Sequence, residues 1–248
     1  MLIGDIFGLF LVIIILCVFF RACFTRYALI RSGVPQGIDN IYSRFVYTLS
    51  TIFQQKCVLR SLSVKDLSGM GHFVIFWAFV FCLFSYVIMF SEALGLHIFD
   101  FITGTSFYKG YQVLLEYLLV LAMGAVLWAF YRRYVEKPLR LEASFDSFVI
   151  LTLILLIIGT YFLQESFGIV AGKHAQAIFL SVSLYFSTLV QKISLDRTEI
   201  FFLFKIFWWV HFLLIIGFLL YIPSSKHMHI IFSPFNLFFR SLAPRGQL

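Results

Sequence analysis

The sequence predicts an all-α integral membrane protein, a bundle of five transmembrane helices with an amphipathic interfacial helix between the first and the second. Three observations lead there. Hydrophobic residues make up 61% of the chain and charged residues 12%, and the mean hydropathy is +0.96, outside the range of soluble domains. Five apolar runs approach or exceed the roughly 20 residues that cross a hydrocarbon core about 30 Å thick. The basic residues concentrate in alternate connections, as the positive-inside bias of membrane proteins requires. The formal charge of +7 therefore points to lipid and topology, not to nucleic acid.

The first span is Ile6 to Phe20, extending toward Phe24. Asp5 precedes it and Arg21, Arg26 and Arg31 follow, the reverse of a cleaved signal peptide. After a polar connection, Tyr42, Phe45, Val46, Leu49, Ile52 and Phe53 recur at three-four spacing, with Arg44, Gln54, Gln55 and Lys56 on the other side. That pattern suits a helix lying on the membrane surface, or one packed on the bundle or a partner subunit. Gly69–Leu94, Phe107–Tyr131 and Phe145–Phe167 are the second, third and fourth spans. Ala175–Val190 is short and serine-rich, which suits an interfacial or re-entrant segment. Ile200–Tyr221 is the fifth span, with a possible extension to Ile231.

Orientation follows from the loops. The first carries Arg21, Arg26, Arg31, Arg44, Lys56, Arg60 and Lys65; the third carries Arg132, Arg133, Lys137 and Arg140; the tail carries Lys226, Arg240 and Arg245. The second and fourth are balanced by acids. The expected topology has the amino terminus outside and the carboxy terminus in the cytoplasm, in a bacterial or archaeal cytoplasmic membrane. Residues 1–236 form the membrane domain and 237–248 a cytoplasmic tail. Cys17, Cys23, Cys57 and Cys82 show no CxxC spacing, so no protein-ligated zinc or iron–sulfur site is readable. Cys17 and Cys82 suit the role of small apolar residues.

The chemistry concentrates in Trp208–Arg240, WWVHFLLIIGFLLYIPSSKHMHIIFSPFNLFFR. His211 and His229 are eighteen positions apart, which on one helix is about five turns, or roughly 27 Å, and one face. That spacing can present imidazoles to two stacked haems. His227 falls nearly on the opposite face, although Pro223 can break the helix and reset the phase. His72 opens the second span at the inner end, where it can meet His229 at equal depth and bind one iron from both sides. A lone histidine at a helix end is ordinarily an interfacial side chain. An imidazole in mid-membrane, such as His211, is a functional candidate by default, with a hydrogen bond to a neighbouring helix as the competing reading. His97 and His174 fall in outer loops and read as surface residues.

Two carboxylates stand near the outer face. Glu116 lies one to two turns inside the third span and Glu165 closes the fourth. Quinol oxidation there releases two protons, and a carboxylate can accept one; a snorkelling or hydrogen-bonded acid is the plainer reading. Lys226, Arg132, Arg133 and Arg140 could neutralise haem propionates, though positive-inside bias alone would place bases there.

The motifs GMGHFVIFWAF, RRYVEKPLRL and the fifth-span stretch resemble the membrane domain of the respiratory nitrate reductase gamma-subunit superfamily. The closer likeness is to the version associated with heterodisulfide-reductase-related iron–sulfur oxidoreductases. The resemblance implies a five-helix b-type cytochrome that exchanges electrons between menaquinone or ubiquinone and a cytoplasmic iron–sulfur subunit or fused domain. It implies haem b, with His72 and His229 as ligands of an inner haem and His211 as ligand of an outer one. The pattern departs at Cys82, where a second histidine of helix two would stand. An outer haem would be five-coordinate, use Cys82 or Met89, or be absent. The rival expectation is a cofactor-free membrane anchor or a transporter-like subunit, although the chain has no internal repeat of the transporter kind.

Overall fold

The computed structural model describes residues 2–33, 37–60, 62, 66–93, 96, 98–138, 141–172 and 181–240. The expectations placed on His97, Arg140, His174 and residues 175–180 lie outside them. The chain forms α1 (Leu2–Arg31), α2 (Ile41–Phe53), α3 (Lys56–Leu59), α4 (Ser68–Ala93), α5 (Asp100–Thr103), α6 (Ser106–Tyr131), α7 (Phe145–Val170), α8 (Val182–Val190), α9 (Arg197–Tyr221) and α10 (His229–Phe238). Among the described residues there is no strand. Five of the helices, α1, α4, α6, α7 and α9, are long and apolar enough to cross a membrane.

The long helices are apolar runs, and three of them carry a side-chain cap at the start. Thr105 accepts a hydrogen bond from Tyr108 N at the start of α6, and Ser144 from Ser147 N at the start of α7. Asp196 and Glu199 form a reciprocal capping box at the start of α9, satisfying donors that the first helical turn cannot. Ala78, Leu115, Leu119, Ala122, Ile158 and Phe162 form a core shared by α4, α6 and α7. Ile15, Phe212 and Ile216 join α1 to α9. At Gly69, a Cβ would lie 2.8 Å from the Val58 carbonyl oxygen. Only glycine allows α4 to start this close to α3, three residues before His72.

The amphipathic α2 sits with its polar side toward the protein. Thr48, Thr51 and Gln55 are buried, while Tyr42, Phe45, Val46, Leu49 and Phe53 are exposed. An apolar face turned away from the bundle is what contact with lipid requires. Arg44 clamps this helix to the end of α10: its Nη1 donates to Phe238 O at 3.1 Å and to Arg240 O at 2.6 Å. Its Nη2 pairs with Asp39 Oδ1 at 2.9 Å.

The structure corrects the fifth span. One helix carrying both His211 and His229 does not form. α9 ends at Tyr221, and two 3-10 turns, Ile222–Ser224 and Lys226–Met228, intervene before α10 begins at His229. Pro223 has no N–H to continue the ladder. The break is then held by Asp146 in the first turn of α7, which accepts from Tyr221 Oη at 2.6 Å and from Lys226 N at 3.2 Å. The eighteen-residue spacing therefore does not put the two histidines on one helical face. The short segment before α9 resolves into α8, nine residues long. At about 1.5 Å per residue that is too short to cross a bilayer; it packs chiefly on α7.

Candidate functional site

The amino-terminal end of α4 and the carboxy-terminal end of α6 meet through Arg132, whose Nη1 binds Asp66 Oδ1 at 2.7 Å. Lys226 Nζ donates to Ser144 Oγ at 3.2 Å and brings in the start of α7. The turn after α9 arrives at the same end. Here the His72 and His229 rings stand with centroids 6.2 Å apart at an interplanar angle of 42°. Both are exposed on the bundle surface. His229 Nδ1 lies 2.9 Å from Lys226 O, and a carbonyl can only accept, so Nδ1 carries the proton and Nε2 keeps its lone pair.

Two imidazoles bound through nitrogen at about 2 Å on opposite sides of one metal ion have ring centres about 6 Å apart. The 6.2 Å separation fits a metal held between His72 and His229. The chemistry around them agrees. Among the described residues, the buried side-chain atoms without a hydrogen-bond partner are Thr48 Oγ1, Thr51 Oγ1, Arg133 Nε, Ser183 Oγ and His227 Nδ1. Arg133 and His227 lie at this end, and so do the two threonines of α2, which packs against α10. His227 is 5.4 Å from His229, ring to ring. Burial, reinforced by the nearby imidazoles of His229 and His72, pushes its pKa down to about 4. Of the bases expected near haem propionates, Arg132 and Lys226 already have protein partners. Arg133 Nε has none.

His211 belongs to a different environment. It is 3% exposed and lies near the middle of α9. Its Nδ1 is 3.0 Å from Thr160 Oγ1 on α7. That hydroxyl spends its proton on the carbonyls of Leu156 and Ile157, at 2.7 and 3.1 Å, so His211 Nδ1–H is the donor and Nε2 again keeps a lone pair. Tyr86 from α4 and Tyr161 from α7 stand against the imidazole at 6.2 and 6.1 Å between centroids.

Tyr161 lies within electrostatic reach of Glu165, Glu116, Cys82 and Tyr86. Glu116 is buried at 5% exposure, and its Oε2 accepts from Ser183 N at 2.9 Å. It thereby anchors the first turn of α8, where a carboxylate is favourable. It lies ten residues into α6, nearly three turns, deeper than the one to two expected. Glu165 has Gln164 Nε2 3.5 Å from its Oε1. Tyr86, Thr160 and Tyr161 were not singled out from sequence. The i, i+4 relation of Cys82 to Tyr86, and of Tyr161 to Glu165, was the available signal.

The chain is similar to two curated oxidoreductases. It is 27% identical over 233 residues to the probable iron-sulfur-binding oxidoreductase FadF of Bacillus subtilis, covering 90% of this chain and 31% of that protein. It is 26% identical over 229 residues to the EtfAB:quinone oxidoreductase of Syntrophomonas wolfei, covering 84% of this chain and 29% of the relative. The chain thus spans about a third of the length of these relatives. No protein-family model matches it, and no solved structure matches it. The similarity to these oxidoreductases covers most of this chain, whose described residues include five helices long and apolar enough to cross a membrane.

Proposed function

We propose that the protein is a b-type cytochrome subunit that passes electrons between a membrane quinol/quinone pool and a cytoplasmic iron–sulfur oxidoreductase partner or fused domain. The observation that carries this reading is the 6.2 Å pairing of His72 and His229. These two would hold one haem b, with Arg133, Lys226 and, by its sequence position, Arg140 as the bases nearest its carboxylates. Bound there, haem supplies a one-electron carrier whose potential is set by its axial ligands and surroundings. The names of the two relatives support the iron–sulfur and quinone ends of the path. The positive-inside bias supports placing the His72/His229 end in the cytoplasm.

Quinol oxidation releases two electrons and two protons. His211, with a lone pair on Nε2, would accept the first hydroxyl proton. Tyr161 lies between that imidazole and the carboxylates of Glu165 and Glu116, which take a proton onward to the outer face. In this reading His211 is a quinol-facing base, with the phenol rings of Tyr86 and Tyr161 packed against it. The test is an absorption spectrum of protein purified from haem-replete cells. Reduced b-type bands at one haem per chain are expected. Their complete absence overturns the proposal in favour of a cofactor-free anchor.

A further inference from the structure

α1 packs on the α9 residues Phe212 and Ile216 through Leu11, Val12 and Ile15, and three-four spacing carries the same stripe on to Arg26 and Ile30. α9 stops at Tyr221, but α1 continues to Arg31. Past the break the stripe has no helix to face, and a wedge opens between α1 and the turns that follow Pro223. The wedge is a cavity of about 400 Å³, large enough for part of an amphiphile. Leu29, Ile30 and Phe232 supply apolar wall, while Arg26, Ser224 and Ser225 supply the polar atoms.

The polar atoms are unequal. Ser224 and Ser225 spend their hydroxyl protons on the carbonyls of Tyr221 and Ile222, at 3.1 and 3.2 Å. Arg26 forms no ion pair among the described residues. A guanidinium is always charged, and its planar fork matches the oxygens of a phosphate. It stands here in an otherwise apolar wedge at the basic end of a membrane span. α1 is held mainly by α9 and the turn after it, and Phe20 and Phe24 on its outer flank are 62% and 66% exposed.

We infer that this wedge binds the phosphate head group of an anionic phospholipid through Arg26, with the lipid acting as the missing partner of the last turns of α1. The position accounts for three things together: a cation without a protein anion, apolar walls around it, and a weakly attached helix at the end where anionic lipid concentrates basic residues.

The test is native mass spectrometry of the full chain extracted from membranes holding both phosphatidylglycerol and phosphatidylcholine. Wild type is expected to retain one phosphatidylglycerol per chain in preference to phosphatidylcholine, and excess inorganic phosphate should not displace it. Arg26→Gln should lower that retention at least about tenfold, the loss of a charge-assisted bidentate contact. Arg31→Gln, outside the cavity, should leave it unchanged. Ile30→Trp, which fills the wedge and keeps the cation, should lower it as Arg26→Gln does. Equal retention of the two lipids by wild type, or undiminished retention in both Arg26→Gln and Ile30→Trp, overturns the inference. So does a loss of haem bands in Arg26→Gln with lipid retention intact, which would assign the cation to the haem.

Discussion

The two histidine regions teach opposite lessons from nearly equal distances. At the basic end, two imidazoles from α4 and α10 face each other at 6.2 Å, exposed, with Nε2 of His229 free. In the middle of the bundle, a single buried imidazole meets two phenol rings at 6.2 and 6.1 Å. The first arrangement brings together two groups of the kind that bind metal. The second sets one imidazole, held by Thr160, against two phenols.

The sharpest way to break the comparison is to remove one imidazole at a time. His72→Ala or His229→Ala is expected to weaken haem retention by more than about 100-fold, since even outer-shell partners of a metal ligand contribute 10- to 100-fold. His211→Ala should leave the reduced-minus-oxidised spectrum at full height. Equal loss in all three variants would mean that His211 is also an iron ligand.

A second measurement separates chemistry from binding in the middle of the bundle. In His211→Ala, haem reduction by a short-chain naphthoquinol should slow by roughly 10²–10⁴, the range of a positioned general base, while dithionite reduction stays complete. An unchanged quinol rate would remove His211 from the reaction.

The break after α9 offers a third. Asp146→Ala removes the acceptor for Tyr221 Oη and Lys226 N, leaving both to water. It should lower the melting temperature by several degrees and reduce haem occupancy through displacement of His229. Loss of stability with full haem occupancy would show that the turn does not position His229.

The smallest effect belongs to Asp66. Hydrogen bonds from Ser68, and then the Arg132 guanidinium, hold its carboxyl well below the usual carboxylate range. Its folded pKa is below its unfolded one, so its contribution is fully present above about pH 4 and declines as pH falls below that. The group is solvent-exposed, and Asp66→Asn should only slightly flatten the acid limb of a thermal-stability profile. A large effect would point to a structural role in seating α4.

Much of the architecture was legible in the chain. Apolar runs of spanning length appear as α1, α4, α6, α7 and α9 with boundaries within a few residues, apart from the two ends of α1, because hydropathy and capping are local properties. The meeting of His72 and His229 was anticipated from antiparallel span directions. Other features were not legible. The two faces of α2 could be read from spacing, but not that the polar one turns inward, since that depends on Arg44 finding the end of α10 nearly two hundred residues away. Glu116 was legible as a buried acid, but not as the anchor of α8, because Ser183 is 67 positions distant.

The sequence alone determined that this is a bundle of membrane helices and roughly where most of the long helices start, and it singled out the histidines and acids that are candidates for chemistry. Tertiary structure decided which of them meet. Pro223 marked a possible break, but a proline can kink a helix as readily as end it. It was Asp146, from a different helix, that caught the freed groups and set α10 on a new axis. Likewise, nothing local to His211 reveals that the rings of Tyr86 and Tyr161 stand against it. They are brought in by α4 and α7, because side-chain spacing across helices is fixed by packing rather than by the order of the chain.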